Sequence, residues 1–173
     1  AMFQISQTPF GLVNLNSSGG VAGVQTNILQ GHALDLEPTG TLVSAFDRTI
    51  SRINPTDMSV TTLFDLNSIS SDLISGRLAV RPTDGMIFFS AGSATDGFTD
   101  SYLYSIRPDG SDLNLIATLE SAGLGGMDVG PSGDGSGRLS VYISTPHANT
   151  EIWELQLVPE PSSVVMLGVG GAA

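Results

Sequence analysis

The sequence predicts an all-β fold built from repeated four-stranded units, and three observations support this prediction. Short runs of alternating apolar and polar residues recur along the chain, a proline and a glycine separate many of them, and no apolar stripe with helical period competes. The chain has 173 residues, of which 21 are glycine and 9 are proline, a composition typical of a fold rich in turns. At this length we expect one domain with a core of its own.

The clearest repeat is a strand, a Pro–Gly turn and a second, more apolar strand. It occurs three times, and its prolines, Pro38, Pro82 and Pro131, lie 44 and 49 residues apart. Proline presets the backbone angle at the start of such a turn, and glycine occupies the position with positive φ. Four strands fit into one of these intervals, which is the length of one β-propeller blade.

A second repeated element supplies the remaining two strands of each unit. Residues 49–57 resemble residues 103–110, and each is followed by another alternating run, at 59–64 and 113–119. The predicted four-stranded units, called blades below, are residues 33–64, 78–119 and 127–157, with strands of a partial blade over 3–30. Together they make residues 1–157 one β-propeller-like repeat region.

The turn motifs also carry a family resemblance. Ile-Arg-Pro-Asp-Gly at 106–110 and Leu-Asp-Leu-Glu-Pro-Thr-Gly at 34–40 resemble blades of the broad six-bladed NHL and SMP-30-like group. The sequence holds about three blades, whereas a closed propeller typically has four to eight. Three arrangements therefore stay open: part of a longer propeller, closure by pairing with another copy, or a small twisted β-sandwich whose repeat mimics blades.

Charge and cysteine content exclude several classes of function. The net charge is −11, there is no lysine, and no basic face is available for a nucleic acid or an anionic membrane. A lysine Schiff base is impossible, and the absence of cysteine removes disulfides, thiolate nucleophiles and cysteine-ligated zinc. An acidic chain without cysteine suits an exported bacterial protein.

Residues 158–173 form a distinct tail. Val-Pro-Glu-Pro-Ser-Ser is followed at once by an apolar run rich in glycine and alanine, and this pattern resembles the PEP-CTERM sorting signal. The resemblance implies that an exosortase-type enzyme recognises Pro159, Glu160 and Pro161 and that the protein is exported. It also implies that residues 164–173 begin a membrane-spanning helix. These ten residues are fewer than the about 20 that a span needs, and the family's arginine-rich end is not present, so we expect a truncated segment.

Candidate metal ligands are few. Asp96 and Asp100 lie four residues apart with a glycine between them, a spacing that suits either a calcium-binding loop, because calcium prefers several oxygen ligands, or a solvated hairpin loop. The two histidines, His32 and His147, have no metal-ligand spacing and are interpreted as ordinary loop residues.

Two further carboxylates are predicted to line a central channel. Asp35 and Asp128 lie on the first strands of two blades, where the channel-facing residues of propellers fall, but the second blade has Ala79 or Val80 there. Related six-bladed lactonases bind a divalent ion in this channel, but the departure in the second blade leaves no catalytic residue to assign.

These observations favour an exported, non-enzymatic binding or structural module in the cell envelope, at the cell surface or outside the cell. The expected partners are a sorting enzyme, an extracellular polysaccharide and a second copy of the chain, with membrane contact only through the C-terminal helix. Calcium is the only cofactor considered. One alternative is a hydrolase, lactonase or lyase acting on extracellular carbohydrate on the same fold. Another is a structural protein that self-assembles through open blade edges.

Overall fold

The structure is a computed structural model that describes residues 2–7, 10–15, 18, 21–25, 33–97, 100–119, 125–145 and 151–157. These residues form β-strands and a single 3₁₀ turn, Leu66–Ser68, which confirms the predicted all-β class. The strands are β1 Met2–Gln7, β2 Phe10–Leu15, β3 Val21–Gln25, β4 Ala33–Leu36, β5 Leu42–Phe46, β6 Thr49–Ile53, β7 Val60–Asp65, β8 Leu73–Val80, β9 Ile87–Ser93, β10 Ser101–Ile106, β11 Asn114–Leu119, β12 Gly126–Pro131, β13 Leu139–Thr145 and β14 Glu151–Gln156. In the described part of the chain no helix is long and apolar enough to cross a membrane.

The strands form four antiparallel sheets in which each strand pairs with its neighbour along the chain. Their orders are β1-β2-β3, β4-β5-β6-β7, β8-β9-β10-β11 and β12-β13-β14. The last three sheets are the first, second and third blades, so the prediction of blade-like repeats is confirmed. The third blade ends at β14 among the residues that the structure describes.

The Pro–Gly turns connect the first two strands of each blade. In the first blade, the backbone N–H of Glu37 donates to the carbonyl of Thr41 at 2.8 Å, and Gly40 has a φ of +86°. In the second blade, the N–H of Arg81 donates to the carbonyl of Met86, also at 2.8 Å. The same local chemistry therefore closes the equivalent turn in both four-stranded blades.

The blades pack face to face through their inner strands. β8 contacts β4 and β5 of the first blade on one side and β12 of the third blade on the other. The cluster between the first and second blades contains the fully buried side chains of Val43, Ile50 and Phe89. A second cluster, between the second and third blades, includes Leu103 and Ile143. The second blade thus lies between two apolar layers.

The pairing registers relate equivalent positions in the three blades. Counting from the prolines of the repeat, Val43, Phe88 and Tyr142 occupy one position on the second strand. Their partners on the third strand are Arg52, Ser105 and Glu154, which gives a second equivalent set. In the first and second blades, the face that carries these residues packs against the next blade.

Candidate functional site

A cleft of about 430 Å³ lies where the turns of the first and second blades meet, and we call it the turn cleft. It combines the β4–β5 turn, the β8–β9 turn and the start of the β10–β11 turn. Its volume falls within the range of about 300–1,000 Å³ that is usual for small-molecule sites. The residues that line it are Glu37, Pro38, Thr39, Thr41, Arg52, Thr83, Asp84, Gly85 and Pro108.

An ion pair between Arg52 and Glu37 forms the base of the turn cleft. Nε of Arg52 donates to Oε2 of Glu37 at 2.9 Å, and Nη2 donates to Oε1 at 2.5 Å. The Glu37 side chain is only 4% exposed, whereas that of Arg52 is 33% exposed. Two parallel charge-assisted bonds fix the plane of the guanidinium, so the pair is both strong and directional.

Arg52 also joins the two blades. Its Nη2 donates a second hydrogen bond, 2.6 Å long, to the backbone carbonyl of Pro108 in the β10–β11 turn. We call this set of bonds from Arg52 to Glu37 and Pro108 the Arg52 clamp. A guanidinium carries five N–H donors, and the clamp uses the one on Nε and both on Nη2. No residue in the described part of the chain accepts from Nη1, which leaves two donors available.

Glycine is required where the second blade approaches the cleft. Gly85 has a φ of +78°, and a Cβ placed on it would lie 3.1 Å from Cγ of Pro108 and 3.7 Å from Cδ of Pro38. A side chain here would therefore be strained by its backbone angle and crowded by a proline ring. The absence of a side chain lets the β8–β9 turn pack directly against both prolines.

A second ion pair borders the turn cleft. Nε of Arg81 donates to Oδ1 of Asp84 at 2.7 Å, and Nη2 donates to Oδ2 at 2.5 Å. These side-chain hydrogen bonds from Arg81 are the main reason that the pKa of the Asp84 carboxyl is lowered from its ordinary value. Each of the two carboxylates that line the cleft is therefore paired with an arginine.

In the third blade, the position equivalent to Arg52 carries a carboxylate. Oε1 of Glu154 accepts hydrogen bonds from Oγ of Ser132 at 2.8 Å, from Oγ of Ser140 at 2.7 Å and from the N–H of Gly133 at 3.0 Å. Hydrogen bonds from Ser140 and Ser132, and then from Gly133, lower the pKa of Glu154. This side chain therefore holds the turn of its own blade, whereas Arg52 reaches the next blade.

Asp35, predicted to line a channel, has a structural role in this fold. Its Oδ2 accepts a hydrogen bond from the N–H of Val80 at 2.7 Å, and its Oδ1 accepts one from the N–H of Leu36 at the same distance. It thereby links the inner strands β4 and β8. The equivalent Asp128 is exposed, and its Oδ1 accepts from the N–H of Val129 at 2.8 Å. The structure does not bring the two carboxylates into one site with the turn cleft.

The predicted calcium loop lies beside a network centred on Asp72. The Asp72 carboxylate accepts hydrogen bonds from the Ser93 hydroxyl and, at 2.5 Å, from the Thr95 hydroxyl, and these bonds lower its pKa. The backbone N–H of Asp96 donates to Oγ of Ser93 at 3.2 Å. Among the described residues, no group of three or more histidine or acidic side chains is close enough to hold a metal ion. Calcium binding through Asp96 and Asp100 stays a prediction.

Several sequence-predicted sites lie outside the described residues. These are His32, His147 and the sorting motif Pro159, Glu160 and Pro161. The sequence analysis in turn missed Arg52 and Glu37 as site residues. A signal was available, because Arg52 interrupts a repeat whose equivalent position in the second blade is Ser105, and an arginine on an inward-facing strand position needs a partner.

Comparison with known proteins finds similarity to solved structures alone. No family model matches the chain, and no curated protein matches it either. One similar solved structure is the "putative exo-beta-1,3-galactanase from Bifidobacterium bifidum s17", at 15% sequence identity and a TM-score of 0.47. The match covers 86% of this chain and 56% of that protein, so the chain spans little more than half of its length. Similarity this low transfers no activity from that protein to this one.

Proposed function

We propose that this protein is an exported, non-enzymatic binding module that holds its ligand in the turn cleft. The observation that carries this proposal is the Arg52 clamp, which builds the base of the cleft from two blades. Three hydrogen bonds hold the Arg52 guanidinium in place, and two of its N–H groups remain available. Such a group suits recognition because the side chain loses little conformational freedom when a ligand binds.

The same geometry favours binding over catalysis. A carboxyl group that acts as a general acid near neutral pH needs a raised pKa, whereas arginine holds the pKa of Asp84 below its ordinary value. Glu37 is buried and bound on both oxygens by Arg52. The accessible carboxylate of the cleft, that of Asp84, is therefore not prepared to donate a proton to a substrate.

The proposed route to the cell surface runs through the C-terminal tail. Pro159, Glu160 and Pro161 directly precede the apolar run, and an exosortase-type enzyme would recognise them in an extended, exposed segment. The net charge of −11 and the absence of lysine and cysteine fit a protein that works outside the cytoplasm. We place its site of action at the cell surface or in extracellular polymer.

Binding in the cleft is tested by co-sedimentation with the insoluble extracellular polymer of the producing cells. The exposed Thr83 is changed to Trp to fill the cleft, and the exposed Thr118 on β11, which pairs with Tyr102 and does not line the cleft, is changed to Trp as the matched control. We expect Thr83→Trp to weaken binding at least about tenfold, which corresponds to about 1.4 kcal/mol, and Thr118→Trp to leave it unchanged. Equal loss in both variants would contradict a role for the cleft, and release of sugar from the polymer would overturn the non-enzymatic part.

Sorting is tested in the producing cells with the complete gene. Changing Pro159, Glu160 and Pro161 together to alanine should move the protein from the surface fraction to the inner membrane, as should deletion of the sorting enzyme. A surface fraction that is unchanged in both strains would refute this route while leaving binding in the cleft intact.

A further inference from the structure

We infer that the turn cleft recognises an uncharged saccharide unit. This inference rests on the proposed function and specifies the chemical class of its ligand. The cleft presents hydrogen-bond donors, hydroxyls and one accessible carboxylate around two proline rings. A sugar hydroxyl both donates and accepts, and a sugar ring also has apolar C–H surface. The cleft matches each of these properties with a named group.

Hydrogen-bond donors come from Nη1 of Arg52. Its two N–H groups have no acceptor in the described part of the chain, while Nε and Nη2 are held by Glu37 and Pro108. The two N–H groups on this one nitrogen diverge within the guanidinium plane, so they can reach two different oxygens of a ligand. Because the clamp already fixes the guanidinium, these donors keep their direction before any ligand arrives.

Hydroxyl groups line the wall of the cleft. Oγ1 of Thr39 lies 3.2 Å from Oγ1 of Thr41 and 3.5 Å from Oε2 of Glu37, so these two hydroxyls form a short polar row above the Glu37 carboxylate. Thr83 contributes a hydroxyl from the opposite turn, with no hydrogen bond to the described residues. The Asp84 carboxylate at the border is 48% exposed and can accept from a ligand hydroxyl in addition to Arg81. The cleft therefore offers both donors and acceptors within one small volume.

Apolar surface comes from the rings of Pro38 and Pro108. Gly85 lies between them without a side chain, and the two prolines belong to different blades. Rigid rings of this kind can pack against the C–H face of a sugar without losing side-chain entropy. The wall thus complements the apolar part of a saccharide while the hydroxyls complement its polar edge.

Charge argues against an acidic saccharide. Each carboxylate in the cleft is paired with an arginine, so the cleft has no excess positive charge. The net charge of the whole chain is −11, which repels a polyanion at long range. A neutral ligand pays no such electrostatic cost, and its affinity should be nearly independent of salt.

The experiment compares neutral and acidic probes by titration calorimetry. The neutral probes are cellotetraose, mannotetraose and galactotetraose, the acidic probe is tetragalacturonate, and each is titrated at low and high salt. We expect saturable binding of at least one neutral probe, little change with salt, and weaker binding of the acidic probe. Tighter and salt-sensitive binding of tetragalacturonate would overturn the inference.

Variants locate the bound sugar. Thr83→Val and Thr41→Val each remove one hydroxyl at nearly constant volume, and we expect each to weaken binding about three- to tenfold. Thr118→Val on the exposed outer strand β11 is the control and should bind as the unchanged protein does. If the extracellular polymer binds in a Thr83→Trp-sensitive way but none of the neutral probes binds, the ligand class is wrong and the proposed function stands. If the polymer does not bind at all, the proposed function itself fails.

Discussion

The first and third blades present the same positions to different surroundings. In the first blade, Val43 and Ile50 lie on the face that packs against the second blade, and both are fully buried. In the third blade, the equivalent positions carry Tyr142 and Ile152, and Ile152 is 73% exposed. The first blade uses this face as an apolar interface. In the third blade the same face is mostly polar, and its carboxylate, that of Glu154, is hydrogen-bonded within its own blade.

One position on the third strand of a blade carries Arg52 in the first blade and Glu154 in the third, and the two side chains make different contacts. Arg52 crosses from the first blade to the carbonyl of Pro108 in the second. Glu154 instead accepts three hydrogen bonds from its own blade, including two from Ser132 and Gly133 in the β12–β13 turn. The first blade thus contacts its neighbour through this position, whereas the third blade satisfies the polar group within its own sheet, which makes this face compatible with water.

The largest effect on stability is expected at one pair of equivalent positions in the second and third blades. Phe88 of the second blade is 2% exposed and packs against the third blade, whereas the equivalent Tyr142 is half-buried on the outward face. We expect Phe88→Ala to lower the free energy of unfolding by about 3–5 kcal/mol and Tyr142→Ala to lower it by about 1 kcal/mol. Urea unfolding measures both. Equal losses would mean that the outward face of the third blade is packed as tightly as an interior layer.

The next effect concerns a close contact between a turn of the second blade and strand β7 of the first blade. Gly110 has a φ of +84°, and a Cβ on it would lie 2.2 Å from the backbone oxygen of Leu63 in β7. Gly135 in the third blade has a similar φ of +72° but has nothing within 4 Å. We expect Gly110→Ala to cost about 2–4 kcal/mol and Gly135→Ala about 1 kcal/mol. Thermal unfolding of the two variants side by side isolates the contribution of the contact from that of the backbone angle.

The Arg52 clamp should contribute a smaller amount. Arg52→Met leaves the Glu37 carboxylate nearly buried without its partner, and we expect the free energy of unfolding to fall by about 1–3 kcal/mol. Adding Glu37→Gln should recover part of this loss in a double-mutant cycle. The control is Arg107→Met, because Arg107 and Asp112 are both more than half exposed and such pairs contribute about 1 kcal/mol or less. If Arg52→Met lowers the free energy of unfolding no more than Arg107→Met does, the Arg52 clamp does not stabilise the contact between the blades.

The smallest effect is a change in pH dependence. Hydrogen bonds lower the pKa of Glu154 in the folded protein, so its stabilisation is present above the unfolded pKa of about 4.3 and is lost as the pH falls through the folded value. Glu154→Gln should therefore flatten the decline of Tm below about pH 4.5. Tm curves of both proteins between pH 3 and pH 7 test this, and curves that stay parallel would contradict it.

The sequence predicted the strands well because their signal is local. Alternation together with a proline and a glycine in each turn located the two four-stranded blades and the three strands of the third. The start of β8 was missed: the strand begins at Leu73 rather than near Leu78. A register shift between Ser75 and Leu78 interrupts its alternation, and a Cβ on Gly76 would lie 2.6 Å from Oγ of Ser90. A bulge of this kind hides a strand from any search for period two.

The candidate site was harder to predict because its parts come from distant segments. Glu37 and Arg52 are 15 residues apart, and Pro108 is a further 56 residues along the chain. No local sequence pattern predicts that the β10–β11 turn of the second blade will contact strand β6 of the first. The acidic residues that local patterns did single out accept hydrogen bonds from backbone N–H groups instead: Asp128 from the adjacent Val129, and Asp35 from the adjacent Leu36 and from Val80 in the second blade.

The Arg52 clamp also has a kinetic consequence. Its bond to Pro108 closes a loop of 56 residues, so it can form only after the first and second blades have each folded and docked. Loss of the clamp should then speed unfolding while leaving the folding rate almost unchanged, since contacts made after the transition state act on the unfolding limb. The turn cleft would accordingly be among the last features to appear during folding, and the ability to bind a ligand would report the final docking of the two blades.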